Sequence, residues 1–235
     1  MDLKQIYLEK VKELGLQDDP IQISAIQKLQ RIGTQLKTKK NPKMIFFSKS
    51  IYPEIQGLYL WGGVGRGKTF IMDIFYDSVL IVKKNRLHFS HFMKDMHTSL
   101  RKFHGKKNPI SKVAYEIASE YQLICFDEFY VEDIADAMIL GSVFKELFSL
   151  GVVLVATSNI IPQKLYANGL QRELFTPAID VLVHNVAVLN LDSGVDYRFR
   201  VPTEHLNYLY PYNEDTRKSF FEKFFLLNKD FDKNK

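Results

Sequence analysis

Apolar residues follow two spacings along this chain, and segments with one spacing alternate with segments with the other. Short continuous apolar runs, bounded by glycine or polar residues, are typical of strands buried on both faces of a sheet. In the segments between them, apolar side chains recur every three or four residues, as on one face of a helix. Five strands alternating with helices predict an α/β fold with a parallel five-stranded sheet and helices on both faces. The predicted strands are residues 57–61, 86–89, 123–126, 152–156 and 186–191.

Helices are predicted from the remaining apolar pattern and from residues that favour helix ends. Pro20 lies in the first turn of the second helix, and Gly151 follows the long helix 133–150, where glycine is a common cap. Residues 163–183 are predicted as two helices that break at Asn168 and Gly169, and residues 83–85 as a loop. The other predicted helices are residues 3–14, 20–32, 70–76, 91–103, 110–121 and 218–227.

A glycine-rich octapeptide joins the first strand to the helix that follows it. It fits the pattern G-x-x-x-x-G-K-[ST], in which backbone N–H groups turn toward phosphate oxygens and the helix N-terminus adds the positive end of its dipole. The lysine of this pattern reaches the β- and γ-phosphates of a nucleotide, and the threonine supplies its hydroxyl to Mg²⁺. The alternative is an incidental glycine-rich turn. The residues predicted to hold ATP are Gly62, Gly63, Val64, Gly65, Arg66, Gly67, Lys68 and Thr69.

Two acidic residues, Asp127 and Glu128, follow the buried strand 123–126. In open parallel sheets ligands bind beyond the carboxyl ends of the strands, so both side chains are expected beside the phosphates. We expect Asp127 and Thr69 to hold Mg²⁺, with Asp127 acting directly or through water, and Glu128 to take a proton from the attacking water. Exposed acids after a strand are common. A phosphate-binding loop in the same chain favours the metal interpretation, because the two parts form opposite sides of one site.

Two further polar residues are candidates for the site. Asn159 lies shortly after the predicted strand 152–156. If that strand is inserted between the loop-bearing strand and the acidic strand, the chain belongs among the additional-strand NTPases. The amide of Asn159 can hold the attacking water without competing as a base, although a plain turn residue is the alternative. Arg172 begins the second helix of the segment 163–183. It is either a solvated helix arginine or a residue that reaches the γ-phosphate of a neighbouring subunit.

The composition narrows the classes of protein that the chain can represent. Of its 235 residues, 46% are hydrophobic and 18 are Phe, which is enough for a sizeable core. A single cysteine excludes an intrachain disulfide and a cysteine zinc site. No apolar stretch approaches the ~20 residues of a membrane span, so a cytoplasmic protein is expected.

The net charge of +5 permits contact with nucleic acid or an acidic membrane without requiring it. Four histidines lack a metal-ligand pattern: His88, His91, His97 and His104.

Five segments, taken in order, carry a resemblance to a known family: residues 57–69, 125–129, 156–159, 168–172 and 194–198. They resemble the ZapE/AFG-type family of AAA+ ATPases, which includes bacterial cell-division ATPases and mitochondrial relatives. The resemblance implies an AAA+-type fold that hydrolyses ATP with Mg²⁺, with Asn159 as sensor 1 and Arg172 as the arginine finger. It also implies assembly into an oligomer or ring. Bacterial members are linked to the division ring through FtsZ, and mitochondrial members to turnover of respiratory-chain proteins.

The C-terminal part departs from the family pattern. Family members continue past the last strand into a helical lid, whereas this sequence ends soon after Arg200. The lid is therefore expected to be missing or reduced, and hydrolysis by the chain alone to be slow. We divide the chain into an N-terminal helical segment (1–44), an ATPase core (45–200) and a short extension with one helix (201–235).

Three functions are compatible with this sequence. The first is an ATPase that drives cell division or protein quality control, at the division site or the inner face of the membrane. The second is a helicase-loader-like adaptor that hydrolyses ATP weakly and binds DNA through the basic segments 37–43, 83–86 and 101–107. The third is an interaction factor whose ATP state controls docking on a division or membrane protein, with residues 3–32 as its extra surface.

Overall fold

A computed structural model describes residues 2–38 and 55–192 of the chain. Helices and strands alternate along these residues, as the apolar pattern predicts. The strands are β1 (Gly57–Trp61), β2 (Lys84–His88), β3 (Leu123–Asp127), β4 (Val153–Ser158) and β5 (Val186–Asn190). The helices are α1 (Leu3–Glu13), α2 (Pro20–Thr38), α3 (Lys68–Ser78), α4 (Phe89–Lys102), α5 (Pro109–Glu120), α6 (Ile134–Ser149) and α7 (Arg172–Asn185), with a 3-10 turn at Pro162–Lys164.

The five strands form one sheet in the order β2-β3-β4-β1-β5, and every pair is parallel. The predicted fold class is therefore confirmed. Strand β4 lies between β1 and β3, so the predicted inserted strand is confirmed as well. Because the strands are parallel, the residues that follow β1, β3 and β4 all lie at the same edge of the sheet.

Successive residues of the central strands alternate between two hydrophobic clusters, one on each face of the sheet. In β1, Leu58 and Leu60 share a cluster with α1, α2 and α3, whereas Tyr59 packs with residues of α4, α5, α6 and α7. In β3, Cys125 lies in the first cluster and Phe126 in the second. Burial raises the pKa of the Cys125 thiol, so this residue is a neutral part of the core. Helices therefore cover both faces, as predicted.

The two N-terminal helices are part of this core. Tyr7 of α1 and Ile26 and Leu29 of α2 are fully buried in the cluster that contains α3. The close approach of α2 to α3 is visible at Gly33, where an added Cβ would lie 3.4 Å from Val79 Cγ2. Removing these helices would expose apolar surface of the sheet layer, so they stabilise the fold in addition to any contact they make with a partner.

Two predictions of local structure are wrong. Lys84 and Asn85 belong to β2 rather than to a loop, because β2 is an edge strand and its polar side chains are only half-buried. The first predicted helix of the segment 163–183 is only the 3-10 turn, since Leu165 already has an extended ψ of 133° and Tyr166 a left-handed φ of 54°, neither of which continues a helix. In addition, β4 extends two residues beyond the predicted end, to Ser158.

Several predictions concern residues beyond the described ranges. The helix 218–227, the reduced lid and the domain boundaries at residues 45 and 200 all lie outside them. Within the ranges 2–38 and 55–192, no helix has both the length and the apolar content needed to cross a membrane.

Candidate nucleotide-binding site

The glycine-rich loop connects the end of β1 to the start of α3. Gly65 and Gly67 have positive φ angles of 79° and 77°, which side chains with a Cβ rarely adopt. A Cβ at Gly67 would also lie only 2.7 Å from the Nε2 atom of Gln22, so a side chain here would have to displace that amide. The loop starts beside β4, where the Gly62 N–H donates to the carbonyl of Ser158 at 3.3 Å. Its shape therefore places backbone N–H groups and the α3 N-terminus around one small cradle.

Lys68 crosses the mouth of this loop. Its ammonium donates to the carbonyl oxygens of Gly62 and Gly63, both at 2.7 Å. Loss of solvent lowers the pKa of Lys68; the negative charge of Asp192 raises it in part, and Arg66 lowers it further. Two loop carbonyls thus hold the charged group in place, while its third N–H can bond to another acceptor. Thr69, the next residue, is exposed in the first turn of α3.

The loop is tied to the end of β5 by a carboxylate that the sequence did not single out. One oxygen of Asp192 accepts from the Gly63 N–H at 3.0 Å and from Arg66 Nε at 2.9 Å. Its position directly after the last predicted strand was the available signal, because β5 pairs with β1 and ends at the same edge. Arg66 Nη1 is buried and has no hydrogen-bond partner among the described residues. An anion in the loop would satisfy such a donor, so the residues present fit a phosphate.

A buried polar chain also connects the N-terminal helices to the loop, and sequence reasoning missed it. Gln22 Nε2 donates to the carbonyl of Arg66 at 3.2 Å, and the hydroxyl of Tyr7 donates to Gln22 Oε1 at 3.1 Å. Gln22 is only 4% exposed and Tyr7 is fully buried. The signal in the sequence was the spacing of Gln22, which places it on the same helix face as the apolar residues Ala25, Ile26 and Leu29. An amide on such a face is expected to be buried and therefore to need hydrogen-bond partners.

The acidic pair lies at the end of β3, next to the tip of β4. Glu128 has a left-handed backbone conformation (φ 54°), and its N–H donates to Thr157 Oγ1 at 3.3 Å. The next N–H, of Phe129, donates to the Thr157 carbonyl at 2.7 Å. Left-handed backbone at a residue other than glycine is strained by about 1–3 kcal/mol and is concentrated at functional sites. The turn aims the exposed side chain of Glu128 outward, while Asp127 remains mostly buried.

Asp127 makes a two-pronged ion pair with Arg86 of β2. Arg86 Nε lies 2.7 Å from Asp127 Oδ2, and Arg86 Nη2 lies 3.3 Å from Oδ1. The remaining nitrogen, Nη1, bonds to Asp73 Oδ1 of α3 at 2.6 Å. Burial acts to lower the pKa of Arg86, but the hydrogen bonds and charges of the two carboxylates outweigh it and raise that pKa. The sequence analysis placed Arg86 in a predicted strand and in a basic segment, without a role in the site.

The two remaining candidates occupy different places. Asn159 is exposed and directly follows β4, so it lies at the sheet edge that carries both the loop and the acidic pair. Arg172 is the first residue of α7, as predicted, but its guanidinium contacts its own neighbourhood: Thr176 Oγ1 at 3.1 Å and the Gln163 carbonyl at 3.0 Å. No recorded contact among the described residues joins Arg172 to the glycine-rich loop or to Asp127. Within one chain, the fold brings together the other candidates and leaves this arginine on the surface.

Two of the four histidines in the segment 88–104 lie beside a carboxylate. His97 lies 2.6 Å from Asp136, and His88 lies 3.8 Å from Glu128. Among the described residues, no group of three or more His, Cys, Asp or Glu could hold a metal ion by itself. A magnesium nucleotide needs no such group, because Mg²⁺ is held by one or two protein oxygens together with phosphates and waters. The hydroxyl of Thr69 and the carboxylate of Asp127 are suitable donors for it.

A parallel sheet that carries a lysine-bearing phosphate loop after β1 and an acidic pair after β3 is the architecture of P-loop nucleotide-binding proteins. The described residues therefore have the fold and the loop of a P-loop nucleotide-binding protein. More specifically, the chain belongs to the AFG1-like ATPase family, whose model matches residues 1–234.

Individual relatives agree with this assignment. The chain is 42% identical over 224 residues to the cell division protein ZapE of Escherichia coli strain K12, covering 90% of this chain and 60% of ZapE. It is 47% identical over 183 residues to Lactation elevated protein 1 homolog B of Danio rerio, covering 72% of this chain and 36% of that protein. The chain thus spans 60% of the length of ZapE.

Among solved structures, the crystal structure of DnaI has the same fold. It superimposes with a TM-score of 0.55 at 16% sequence identity, covering 77% of this chain and 86% of DnaI. At this level of identity the likeness concerns the fold alone.

Proposed function

We propose that this protein binds ATP with Mg²⁺ in the loop of residues 62–69 and hydrolyses it with Glu128 as the general base. One observation supports this most directly: the phosphate loop and the acidic pair are bonded to the two sides of the same strand tip. Gly62 bonds to Ser158, while Glu128 and Phe129 bond to Thr157. Since β1 and β3 are separated by one strand, their ends lie about 10 Å apart, a span that a triphosphate and its metal can bridge.

The residues of the loop and the strand ends divide the work of binding. The N–H groups of the loop and the Lys68 ammonium bind phosphate oxygens, and the orphan Arg66 Nη1 adds a donor on the same side. Thr69 and Asp127 would hold Mg²⁺, which supplies positive charge that stabilises the negative charge developing on the phosphates. Gln22, Ser158 and Asp192 each bond to the loop and thereby support its conformation.

Glu128 and Asn159 act on the attacking water. The carboxylate of Glu128 is 80% exposed beyond the end of β3, so it can reach a water beside the γ-phosphate and accept its proton. Asn159 can accept and donate hydrogen bonds and therefore orients that water without removing its proton. Thr157 and Ser158, which precede Asn159, are buried and bonded to the acidic turn, so both tips are supported by one set of hydrogen bonds.

Arg172 is proposed to act on the nucleotide of a neighbouring subunit. The turn before it has a defined shape: Tyr166 and Gln171 have left-handed φ angles of 54° and 55°, and the Tyr166 hydroxyl donates to the Leu170 carbonyl at 3.0 Å. Beside Arg172 the surface is apolar, since Leu170 is 71% exposed and Leu174 is 61% exposed. Exposed apolar residues around a charged one are typical of an interface, and a second copy of this chain is the occupant that would give Arg172 a phosphate to contact.

Arg172→Ala is expected to preserve ATP binding and to lower turnover by at least about 100-fold, since an arginine supplied in trans contributes 10³–10⁵ in related phosphoryl transfers. Turnover is measured as a function of protein concentration. Mixing Arg172→Ala subunits with Lys68→Ala subunits should restore activity, because the second variant lends its arginine to the intact ATP site of the first. A double variant carrying both changes, used in place of Lys68→Ala, should restore nothing. Unaltered turnover of Arg172→Ala at high protein concentration would refute the role.

The cellular role is proposed from the relatives. Similarity to the cell division protein ZapE supports action at the division ring, on FtsZ or another ring protein, in the cytoplasm or at the inner face of the membrane. Protein quality control is the alternative role, which the resemblance to mitochondrial family members implies. Co-sedimentation with FtsZ polymers tests the first role: pelleting that requires ATP supports it, and equal pelleting with and without polymer excludes it.

A second candidate function, contact with nucleic acid, is favoured by the corner between α4 and α5. Phe103 and Tyr115 line an open groove of about 550 Å³ together with Lys107 and Lys112. Exposed cations surround it, and none of them has a recorded ion pair among the described residues: Arg101, Lys102, Lys106, Lys107 and Lys112. Aromatic rings between cations suit single-stranded nucleic acid, whose bases stack while its phosphates are neutralised. The basic segment 83–86 is no longer a candidate, because its charged groups bond within the protein.

If this corner binds single-stranded DNA, Lys106→Glu/Lys107→Glu/Lys112→Glu should weaken binding by at least about tenfold at low salt, with a reduced salt dependence. Fluorescence anisotropy with a labelled oligonucleotide measures it. The matched control is Lys4→Glu/Lys12→Glu/Arg31→Glu, which makes the same change of charge on α1 and α2, across the sheet from the groove. Equal losses in the two triple variants would show that only net charge matters and would remove this candidate.

A further inference from the structure

We infer that Arg86 is a positioning residue for the metal-binding carboxylate. One edge of its guanidinium holds Asp127 and the other holds Asp73, so the arginine fastens the acidic strand tip to the helix that follows the phosphate loop. The inference rests on the magnesium role of Asp127 proposed above. It assigns a function in the ATP site to a residue of β2, the edge strand next to the acidic strand.

The geometry of the pair is specific. Nε and Nη2 of Arg86 bond to the two different oxygens of Asp127, at 2.7 and 3.3 Å, which fixes the plane of the carboxylate. Nη1 points the other way, to Asp73 at 2.6 Å. The side chains of Arg86 and Asp127 are 19% and 16% exposed, so solvent screens this pair far less than a surface ion pair.

The fold explains why the arginine reaches both acids. Arg86 is paired in register with Cys125 of β3, so the two side chains leave the sheet on the same face. Asp127 lies two residues after Cys125 and therefore points to that face too. The helix that covers this face is α3, and Asp73 stands on it four residues after Thr69. The guanidinium thus bridges the acidic strand and the helix that carries the second metal-binding residue.

The charges of this cluster suit a divalent cation. Each oxygen of Asp127 accepts one hydrogen bond from Arg86 and keeps a further lone pair for a metal ion or its water. One guanidinium between two carboxylates leaves the cluster with a single net negative charge. Without the arginine, Asp73 and Asp127 would be two unpaired acids on one partly buried face, and their mutual repulsion would displace both from the positions seen here.

The experiment measures how much Mg²⁺ strengthens the binding of a fluorescent ATP analogue, by titration with Mg²⁺ and with EDTA. In Arg86→Gln we expect affinity in EDTA to be unchanged, because the phosphate loop is intact. The Mg²⁺-dependent gain should fall by at least about tenfold, the usual cost of losing a group that orients a metal ligand. Arg86→Lys should recover part of the gain, because an ammonium keeps the charge but cannot bond both oxygens in one plane. Arg31→Gln, which changes an exposed arginine on α2, is the matched control and should keep the full gain.

The outcomes separate this inference from the proposed function. If the wild-type protein shows no Mg²⁺-dependent gain, the magnesium role of Asp127 fails. If the wild type shows the gain and Arg86→Gln keeps it in full, only the positioning role is overturned. Should Arg86→Gln lack a native thermal transition, Arg86→Lys decides: a reduced gain supports the role and a full gain removes it. Asp73→Asn should also reduce the gain, and a full gain there would contradict the second anchor.

Discussion

Replacing Lys68 with alanine is expected to weaken ATP binding by about 10- to 100-fold. The ammonium is held by the carbonyls of Gly62 and Gly63 at the mouth of the loop, where it faces bound phosphates. Each hydrogen bond from a charged group contributes about 1.5–3 kcal/mol, so losing the one ammonium N–H that is left for the phosphates weakens binding by about 10- to 100-fold. Isothermal titration calorimetry with ATP and with ADP measures the loss directly.

Two controls show whether the loss is local. Lys164→Ala removes an exposed lysine from the 3-10 turn and should leave ATP affinity unchanged. The thermal transition of Lys68→Ala without nucleotide should stay close to that of the wild type, because only two loop contacts are lost. A folded Lys68→Ala protein that binds ATP as tightly as the wild type would contradict the assignment of residues 62–69 as the ATP-binding loop.

Replacing Glu128 with glutamine is expected to separate binding from hydrolysis. The amide has nearly the same shape as the carboxylate but cannot take the proton of the attacking water. Turnover should therefore fall by about 100- to 1,000-fold, within the range for loss of a general base, while ATP affinity stays within about threefold of the wild type. Single-turnover hydrolysis of bound ATP, followed by quenching, reports the chemical step without product release.

The matched control for this variant lies four residues away. Glu132 is exposed in the same connection between β3 and α6, and Glu132→Gln makes the same chemical change outside the turn of Glu128. It should hydrolyse ATP at the wild-type rate. A single-turnover rate in Glu128→Gln equal to that of Glu132→Gln would exclude Glu128 as the general base. The next candidate for the base would be His88, whose Nδ1 lies 3.8 Å from Glu128 Oε2.

The strands and the phosphate loop could be predicted because their signals are local. The apolar run 57–61 is the observed β1, and the glycines that follow it include the left-handed positions 65 and 67. A glycine relieves strain at its own position, and a helix N-terminus creates its dipole from its own peptide groups. Neither property depends on distant residues, so a single sequence was sufficient to predict both.

The sequence was less informative where polar residues serve the tertiary structure. Lys83, Lys84 and Arg86 formed a basic segment, which suggested contact with DNA. In the fold, Lys83 bonds to the Ser119 carbonyl, Lys84 to the Val79 carbonyl, and Arg86 to its two acids. Composition records how many charges a segment has, but it does not record which of them are neutralised by partners elsewhere in the chain.

The sequence by itself determined the α/β alternation, the phosphate loop, the acidic pair and therefore the class of the protein. The tertiary structure decided how the site is held together: Asp192 bonds to Gly63 across 129 residues, Gln22 to Arg66 across 44, and Arg86 to Asp127 across 41. These contacts depend on strand order and on which face of the sheet each side chain leaves. Both are set by the packing of the whole chain, because no short segment can bury its apolar face alone.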